Sequence, residues 1–229
     1  MGLILNIETS TKVCSVALAK EGKTIVAKEE LGEQYIHSEK LTTFIEELMD
    51  SSDFTLNDLD AICVSKGPGS YTGLRIGVSC AKGLCYALKI PLLAIDSLTI
   101  LGGRFVQLSA VENNVVLYPM IDARRMEVFT QKMNADLIAK SAIEAMIIDE
   151  TSFSEYSESV ILFGDGANKL INTFTTNNIK VLGSIETSAR GMEKLSYDKF
   201  VAKDFEDVAY FEPFYLKEFI AIPSKKKLL

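Results

Sequence analysis

A glycine-rich turn is the part of this sequence best suited to chemistry. Residues 66–77 contain four glycines, follow the apolar run 61–64 and lead into a helical pattern. A strand, a glycine turn and a helix N-terminus in succession can bind an anion, because loop N–H groups point outward and the helix dipole adds partial positive charge. The turn lacks the Lys-Ser/Thr pair of a Walker A loop, so the lysine that would reach β- and γ-phosphates is missing.

Two interpretations of the turn stay open. In the first, it forms a phosphate or nucleotide site with polar residues that follow the first strand. The candidate residues for that site are Glu8, Ser10, Thr11, Gly67, Gly69, Ser70, Thr72 and Gly73. In the second, the glycines only permit close packing, because Gly73, Gly77 and Ala81 are spaced by four and lie on one helix face.

Histidine and cysteine usage excludes several kinds of site. His37 is the single histidine, which excludes a zinc site with two histidines. The four cysteines form no C-x-x-C pair and lie in apolar patterns, which is typical of buried thiols in a reducing cytoplasm. We therefore expect no metal, no protease activity and a cytoplasmic location.

Charge and hydropathy exclude further classes. The net charge is −7, whereas a protein that binds RNA alone usually has a basic face, so any role on nucleic acid needs a partner. The basic run Lys225–Lys227 is expected to be a solvated tail. No apolar run reaches the roughly 18 residues of a membrane span, and the N-terminal residues are expected to form a first strand, not a signal peptide.

The elements that must position these residues follow an α/β pattern. Three strand patterns joined by short loops predict an antiparallel meander, and helices then alternate with strands. The predicted strands span residues 3–8, 13–19, 24–29, 60–65 and 92–95, and the predicted helices span about 37–49, 74–88 and 97–108. This order is that of a ribonuclease H-like lobe, the repeating unit of the actin and sugar-kinase architecture.

The second half of the sequence repeats the order of elements found at the start of the first half. Residues 114–121 form an apolar strand pattern that ends in Asp122, and a tight turn and a strand pattern at 126–133 follow. The polar segment 107–113 marks the predicted boundary. We expect a first lobe at 1–108 and a reduced second lobe at 109–229, each with a mixed five-stranded sheet flanked by helices.

Four motifs resemble those of the TsaB family, whose members were once described as putative glycoproteases. They lie at residues 7–18, 37–41, 67–77 and 121–129, and the third is the most specific. The first 130 residues match closely, and the rest matches loosely, through 164–166 and 214–217. The resemblance implies an actin-like, two-lobe ATPase fold and a role in forming N6-threonylcarbamoyladenosine at position 37 of tRNA.

The resemblance also implies partners. TsaB proteins act with the catalytic paralogue TsaD and the small ATPase TsaE, and TsaB is regarded as a degenerate, non-catalytic relative that holds and activates TsaD. TsaD coordinates metal partly through an H-x-x-x-H pair on a helix, but here Leu41 stands four residues after His37. Glu8 ends a strand where kinases of this architecture keep a metal-orienting acid, or it simply bonds to turn amides. We expect tRNA contact only through the complex, and any ATP or ADP at a shared interface.

The predicted partner surface is formed by the two helices of the first lobe. Helix 74–88 has apolar residues in the 4-3-4-3 spacing of a coiled-coil seam, and two helices from another chain would complete a four-helix bundle. The predicted contact residues are His37, Leu41, Phe44, Leu48, Leu74, Gly77, Val78, Ala81 and Cys85. The surface would serve a homodimer, expected when the chain is alone, or the paralogue. The alternative is that both helices are covered within the chain.

Two functions therefore compete. The first is a non-catalytic scaffold subunit of a tRNA-modifying complex, without catalysis of its own. The rival is an independent ATP-dependent phosphotransferase of the actin and sugar-kinase fold. The missing P-loop lysine and the short second lobe disfavour the rival.

Overall fold

The computed structural model describes residues 2–217 and contains two five-stranded mixed sheets flanked by helices. Met1 and residues 218–229, with the predicted tail at Lys225–Lys227, lie outside the described residues. Among the residues described, none of the helices combines the length and the hydropathy that a membrane span requires.

The first sheet has the strand order β3-β2-β1-β4-β5. Its strands are β1 (Leu3–Glu8), β2 (Val13–Lys20), β3 (Lys23–Leu31), β4 (Ala61–Ser65) and β5 (Leu92–Ile95). The first three form the predicted antiparallel meander, because their connecting loops are too short for a crossover. β4 is parallel to β1, and β5 is parallel to β4. All residues of β1, β4 and β5 are buried, since helices cover both faces of the sheet.

The helices of the first lobe are α1 (His37–Asp50), α2 (Tyr71–Leu88) and α3 (Ser97–Leu108). α2 begins three residues before the predicted start, because the Ser70 hydroxyl caps the helix by accepting a hydrogen bond of 3.2 Å from the Gly73 N–H. α1 and α2 cover one face of the sheet, where alternate residues of β1 point. α3 packs against the core of the second lobe through Leu98, Leu101 and Phe105.

The second sheet repeats the topology of the first. Its strands are β6 (Val116–Asp122), β7 (Glu127–Thr130), β8 (Glu144–Ile147), β9 (Val160–Phe163) and β10 (Ile179–Leu182), in the order β10-β9-β6-β7-β8. β6 pairs with β7 antiparallel and with β9 parallel, as β1 pairs with β2 and β4. The predicted repeat is therefore confirmed. The lobe is reduced because only a 3₁₀ turn, Asp165–Leu170, stands between β9 and β10.

The end of the described chain returns to the first lobe, so the lobes are not the consecutive segments 1–108 and 109–229. A 3₁₀ turn, Ala189–Met192, and α4 (Glu193–Ala202) pack on the face of the first sheet opposite α1 and α2. That face presents apolar side chains such as Ile4, Cys63 and Leu93, which need cover from water. The predicted boundary does coincide with the end of α3 at Leu108.

Candidate functional site

The glycine-rich turn packs tightly against the turn between β1 and β2. The Ser70 N–H donates a hydrogen bond of 2.6 Å to the Ser10 carbonyl. A Cβ atom at Gly69 would lie 2.3 Å from that carbonyl oxygen, and one at Gly73 would lie 2.2 Å from the Thr9 carbonyl oxygen. Close backbone approach therefore requires glycine at both positions, so packing alone explains much of the motif.

Glu8 ends β1 with its side chain completely buried. Its Oε1 accepts a hydrogen bond of 2.6 Å from the Ser10 N–H, which is the turn-amide bond expected of a strand-end acid. Burial raises the pKa of the Glu8 carboxyl from 4.5 to about 7, because desolvation disfavours the charged form. The carboxyl is therefore partly protonated at neutral pH, which weakens it as a ligand for a hard cation.

The His37 side chain also forms a hydrogen bond within the chain. Its Nε2 lies 2.8 Å from the Thr11 carbonyl oxygen and donates a hydrogen bond to it. Its ring also borders Gly73, where an added Cβ would come within 3.0 Å of the His37 Cδ2 atom. Burial lowers the pKa of the imidazole, so the ring is neutral and ties α1 to the β1–β2 turn. Within residues 2–217, no three His, Cys, Asp or Glu side chains converge as they would around a metal ion.

A cleft of about 800 Å³ separates the two lobes beside this turn. Residues 10–12 and 69–72 form its first-lobe wall, and residues 121–125 with Asp165 form the opposite wall. Five of the eight candidate phosphate-site residues line the cleft: Ser10, Thr11, Gly69, Ser70 and Thr72. The other three, Glu8, Gly67 and Gly73, do not line it.

A segment that we call the strap, residues 214–217, borders the cleft and links the lobes. On the first lobe, the Phe214 N–H donates to the Lys66 carbonyl at 2.6 Å, and Arg75 Nε donates to the Tyr215 hydroxyl at 3.1 Å. On the second lobe, Lys217 forms an ion pair with Glu127. Sequence reasoning did not identify the strap as part of the site; the only signal was a loose family match at the same residues.

The second-lobe wall carries carboxylates that have internal partners. The Asp122 carboxylate pairs with Lys169 at 2.5 Å. Asp165 accepts a hydrogen bond of 3.1 Å from the Asp122 N–H, and burial raises the pKa of its carboxyl from 3.8 to about 6. Both acids therefore serve the structure of the second lobe, as the buried Glu8 serves the β1–β2 turn of the first lobe.

The predicted partner residues require a correction, because they do not form a surface. All nine are buried within the chain: His37, Leu41, Phe44, Leu48, Leu74, Gly77, Val78, Ala81 and Cys85. The 4-3-4-3 seam of α2 is its sheet-facing side, since the nearest apolar surface that can cover it belongs to the same chain. The outer side of the two helices instead bears a groove of about 430 Å³. Its apolar lining residues are Ile45, Met49, Phe54, Leu56, Cys80 and Leu84.

Two lobes of the same topology around a cleft define a protein of the actin-like ATPase fold with ribonuclease H-like lobes. A solved structure, YeaZ from Pseudomonas aeruginosa, superposes with a TM-score of 0.80 at 24% identity and covers 94% of this chain and 100% of that chain. Residues 33–155 match the family TsaD, described as tRNA N6-adenosine threonylcarbamoyltransferase.

Two relatives carry the description tRNA threonylcarbamoyladenosine biosynthesis protein TsaB. The Bacillus subtilis protein is 30% identical over 220 residues, and the Haemophilus influenzae protein is 29% identical over 224 residues. Each alignment covers 93% of this chain and 93% of the relative. The chain belongs to the TsaB family.

Proposed function

We propose that this chain is a non-catalytic subunit that binds and activates a TsaD-like transferase in the formation of N6-threonylcarbamoyladenosine at position 37 of tRNA. The observation that supports the proposal is that, in this TsaB family member, neither Glu8 nor His37 lines the interlobe cleft. The strand-end acid Glu8 and the single histidine His37 lie beneath the cleft wall and are engaged in internal hydrogen bonds. Because both side chains are buried and neither lines the cleft, they are poorly placed for metal or phosphoryl chemistry on a ligand there.

The proposed partner surface is the outer side of α1 and α2. Along α2, the residues Ile76, Cys80, Gly83 and Ala87 are spaced by four, three and four and form a stripe that no buried residue interrupts. A Cβ added at Gly83 would meet no atom within 4 Å, so this part of the helix faces open space. Small residues along a helix let another helix approach closely, which supports a four-helix contact.

The match to the TsaD family supports the same surface, because residues 33–155 include both helices. A paralogue with equivalent helices can present a complementary pair, and a second copy of this chain can do so too. We therefore propose a homodimer when the chain is alone and a heterodimer with the paralogue in the complex. A TsaE-like ATPase and tRNA would join that complex, with any ATP or ADP at a shared interface.

The test is reconstitution of the modification. The chain is mixed with its cognate TsaD-like protein, TsaE-like ATPase, threonylcarbamoyl donor and unmodified tRNA, and modified adenosine is measured by mass spectrometry. We expect omission of the chain to abolish turnover, and full turnover without it would refute the proposal.

A pair of substitutions tests the surface. Gly83→Arg places a long charged side chain on the outer stripe and should abolish partner binding in calorimetry while the chain stays folded. Gly83→Ala is the matched control, because alanine at an exposed helix position stabilises a helix by about 0.5–1 kcal/mol relative to glycine. Partner binding by Gly83→Arg at the affinity of Gly83→Ala would place the interface elsewhere.

The rival function is an independent ATP-dependent phosphotransferase. The observation that favours it is the cleft itself, which has nucleotide-sized volume and the N-terminus of α2 on one wall. The isolated chain is expected to hydrolyse ATP weakly or not at all. A steady-state rate of about 1 per second or more, typical of working enzymes, would favour the rival.

A further inference from the structure

The turn between β6 and β7 holds two arginines in an unfavourable backbone conformation. Arg124 has a φ of 68° and Arg125 has a φ of 54°, which is the left-handed region that few residues other than glycine, asparagine and aspartate adopt. Both side chains are exposed and line the interlobe cleft. Arginine at both positions of such a turn, at the edge of a cleft, supports a function for the two side chains there.

Three cations on the cleft have no charge partner of their own. Lys12, Arg124 and Arg125 are exposed, and none of them forms an ion pair with another residue of the described part of the chain. Lys12 acts electrostatically on Glu186, but the two do not form an ion pair. The local positive charge therefore stands out in a chain with a net charge of −7.

The carboxylates that line the same cleft do not neutralise these cations. Asp122 pairs with Lys169, and Glu127 pairs with Lys217. Asp165 accepts a hydrogen bond from the Asp122 N–H. Because each acid already has an internal partner, the charge of the three cations is free to act on a ligand.

Aromatic rings stand beside the cations. Tyr71 and Tyr215 have ring centroids 4.9 Å apart, and the Arg75 guanidinium carbon lies 4.1 Å from the Tyr71 ring centroid. Tyr35, which is 46% exposed, lines the cleft as well. Rings that accept stacked bases, next to cations that bind phosphates, are the combination found where proteins hold single-stranded nucleic acid.

We infer that this cleft rim, formed by Lys12, Tyr35, Tyr71, Arg124, Arg125 and Tyr215, binds a single-stranded segment of RNA. The inference rests on the proposed function in one respect, namely that the RNA in the complex is the tRNA to be modified. The cations bind phosphates and the tyrosines stack on bases, so recognition is largely independent of sequence. RNA binding by the isolated chain is confined to this rim and is measured at low salt, since the rest of this acidic chain repels RNA.

The test uses a substitution that separates function from stability. Arg124→Asn with Arg125→Gly removes both cations and supplies residues that tolerate positive φ, so the folded chain should melt at a higher temperature. Binding of a fluorescent 12-nucleotide single-stranded RNA is measured by anisotropy across salt concentrations. We expect about tenfold weaker binding at low salt, and a log–log salt slope smaller by about 1.4, at roughly 0.7 per cation.

The matched control removes two charges elsewhere. Lys23 and Lys140 are exposed, and Lys23 lies at the opposite end of the first sheet from Lys12. Lys23→Gln with Lys140→Gln should leave both the affinity and the salt slope at wild-type values. In a second measurement, photocrosslinking of RNA that contains 4-thiouridine should label peptides with Tyr35 and Tyr215.

Three results would overturn the inference. The first is no RNA binding by the wild-type chain at 25 mM salt. The second is an unchanged affinity and slope for the Arg124→Asn, Arg125→Gly variant. The third is that the Arg124→Asn, Arg125→Gly variant binds RNA as the wild type does but no longer binds free ATP or AMP. That result would assign the rim to a mononucleotide. None of these bears on reconstitution, so the proposed function can fail or survive independently.

Discussion

The buried carboxyl of Glu8 leads to a quantitative prediction for Glu8→Gln. Glutamine keeps the shape of the protonated acid and the oxygen that accepts the hydrogen bond from the Ser10 N–H. Unlike the carboxyl, it never carries a charge. The substitution therefore removes the cost of burying a carboxylate and leaves the local packing in place.

The pKa of Glu8 sets the sign and the size of the effect. Because burial raises this pKa from 4.5 to about 7, the folded state holds the proton more tightly than the unfolded chain does. That contribution to stability is complete below pH 4.5 and is lost as the pH rises through about 7. A rise of about 2.5 units at 1.36 kcal/mol per unit gives a loss of about 3 kcal/mol.

The assay is urea unfolding of the wild type and Glu8→Gln from pH 5 to pH 8.5. We expect the free energy of unfolding of the variant, relative to the wild type, to increase by about 2.5 kcal/mol between these limits, because a small part of the effect lies below pH 5. Burial raises the pKa of Asp165 as well, to about 6, but Asp165 is present in both proteins and cancels in the difference. Glu33→Gln, at an exposed position, is the control and should show no such trend. A difference between the two proteins that stays constant with pH, or that falls, would refute the reasoning.

Two further predictions concern packing. Gly73→Ala places a Cβ 2.2 Å from the Thr9 carbonyl oxygen and should destabilise the chain by about 1–3 kcal/mol in chemical denaturation. Gly83→Ala, which adds a Cβ in open space on the same helix, is the control. Equal stability of the two variants would contradict the packing interpretation. Tyr215→Ala removes the ring contact with Tyr71 and the bond from Arg75, and should reduce hydrogen-exchange protection of the Phe214 amide by about 1–2 kcal/mol while β1 stays protected. Tyr210→Ala, at a position 84% exposed, should leave that amide unchanged, and loss of protection in both variants would exclude a specific strap contact.

Local pattern was sufficient for much of the fold. Alternation with a period of two predicted the three-stranded meander, and the 3.6-residue period predicted α1 and α2 to within three residues at their starts. The repeat of strand, acid, turn and strand after Asp122 predicted a second sheet, which has the same topology as the first. These features depend on residues that are close in sequence, so the sequence alone contains them.

The candidate site was only partly predictable. The glycine turn was found because glycines at short spacing are a local signal. The internal bonds of Glu8 and His37 depend on which chain segments meet, and the strap approaches the cleft from more than a hundred residues away. The two arginines of the β6–β7 turn lie in a family motif, but only the structure shows their backbone angles and their place on the cleft.

What the sequence determined by itself was the order of elements, the repeated lobe, the single histidine and the absence of a P-loop lysine. Only the tertiary structure decided which face of α2 is inside. An amphipathic pattern identifies an apolar stripe but not the surface that covers it, and here the chain's own sheet covers Leu74, Val78 and Ala81. Sequence pattern likewise does not show that α4 returns to the first lobe. The face of the first sheet opposite α1 and α2 is apolar and must be covered, and only the tertiary structure shows that α4 and the preceding turn cover it.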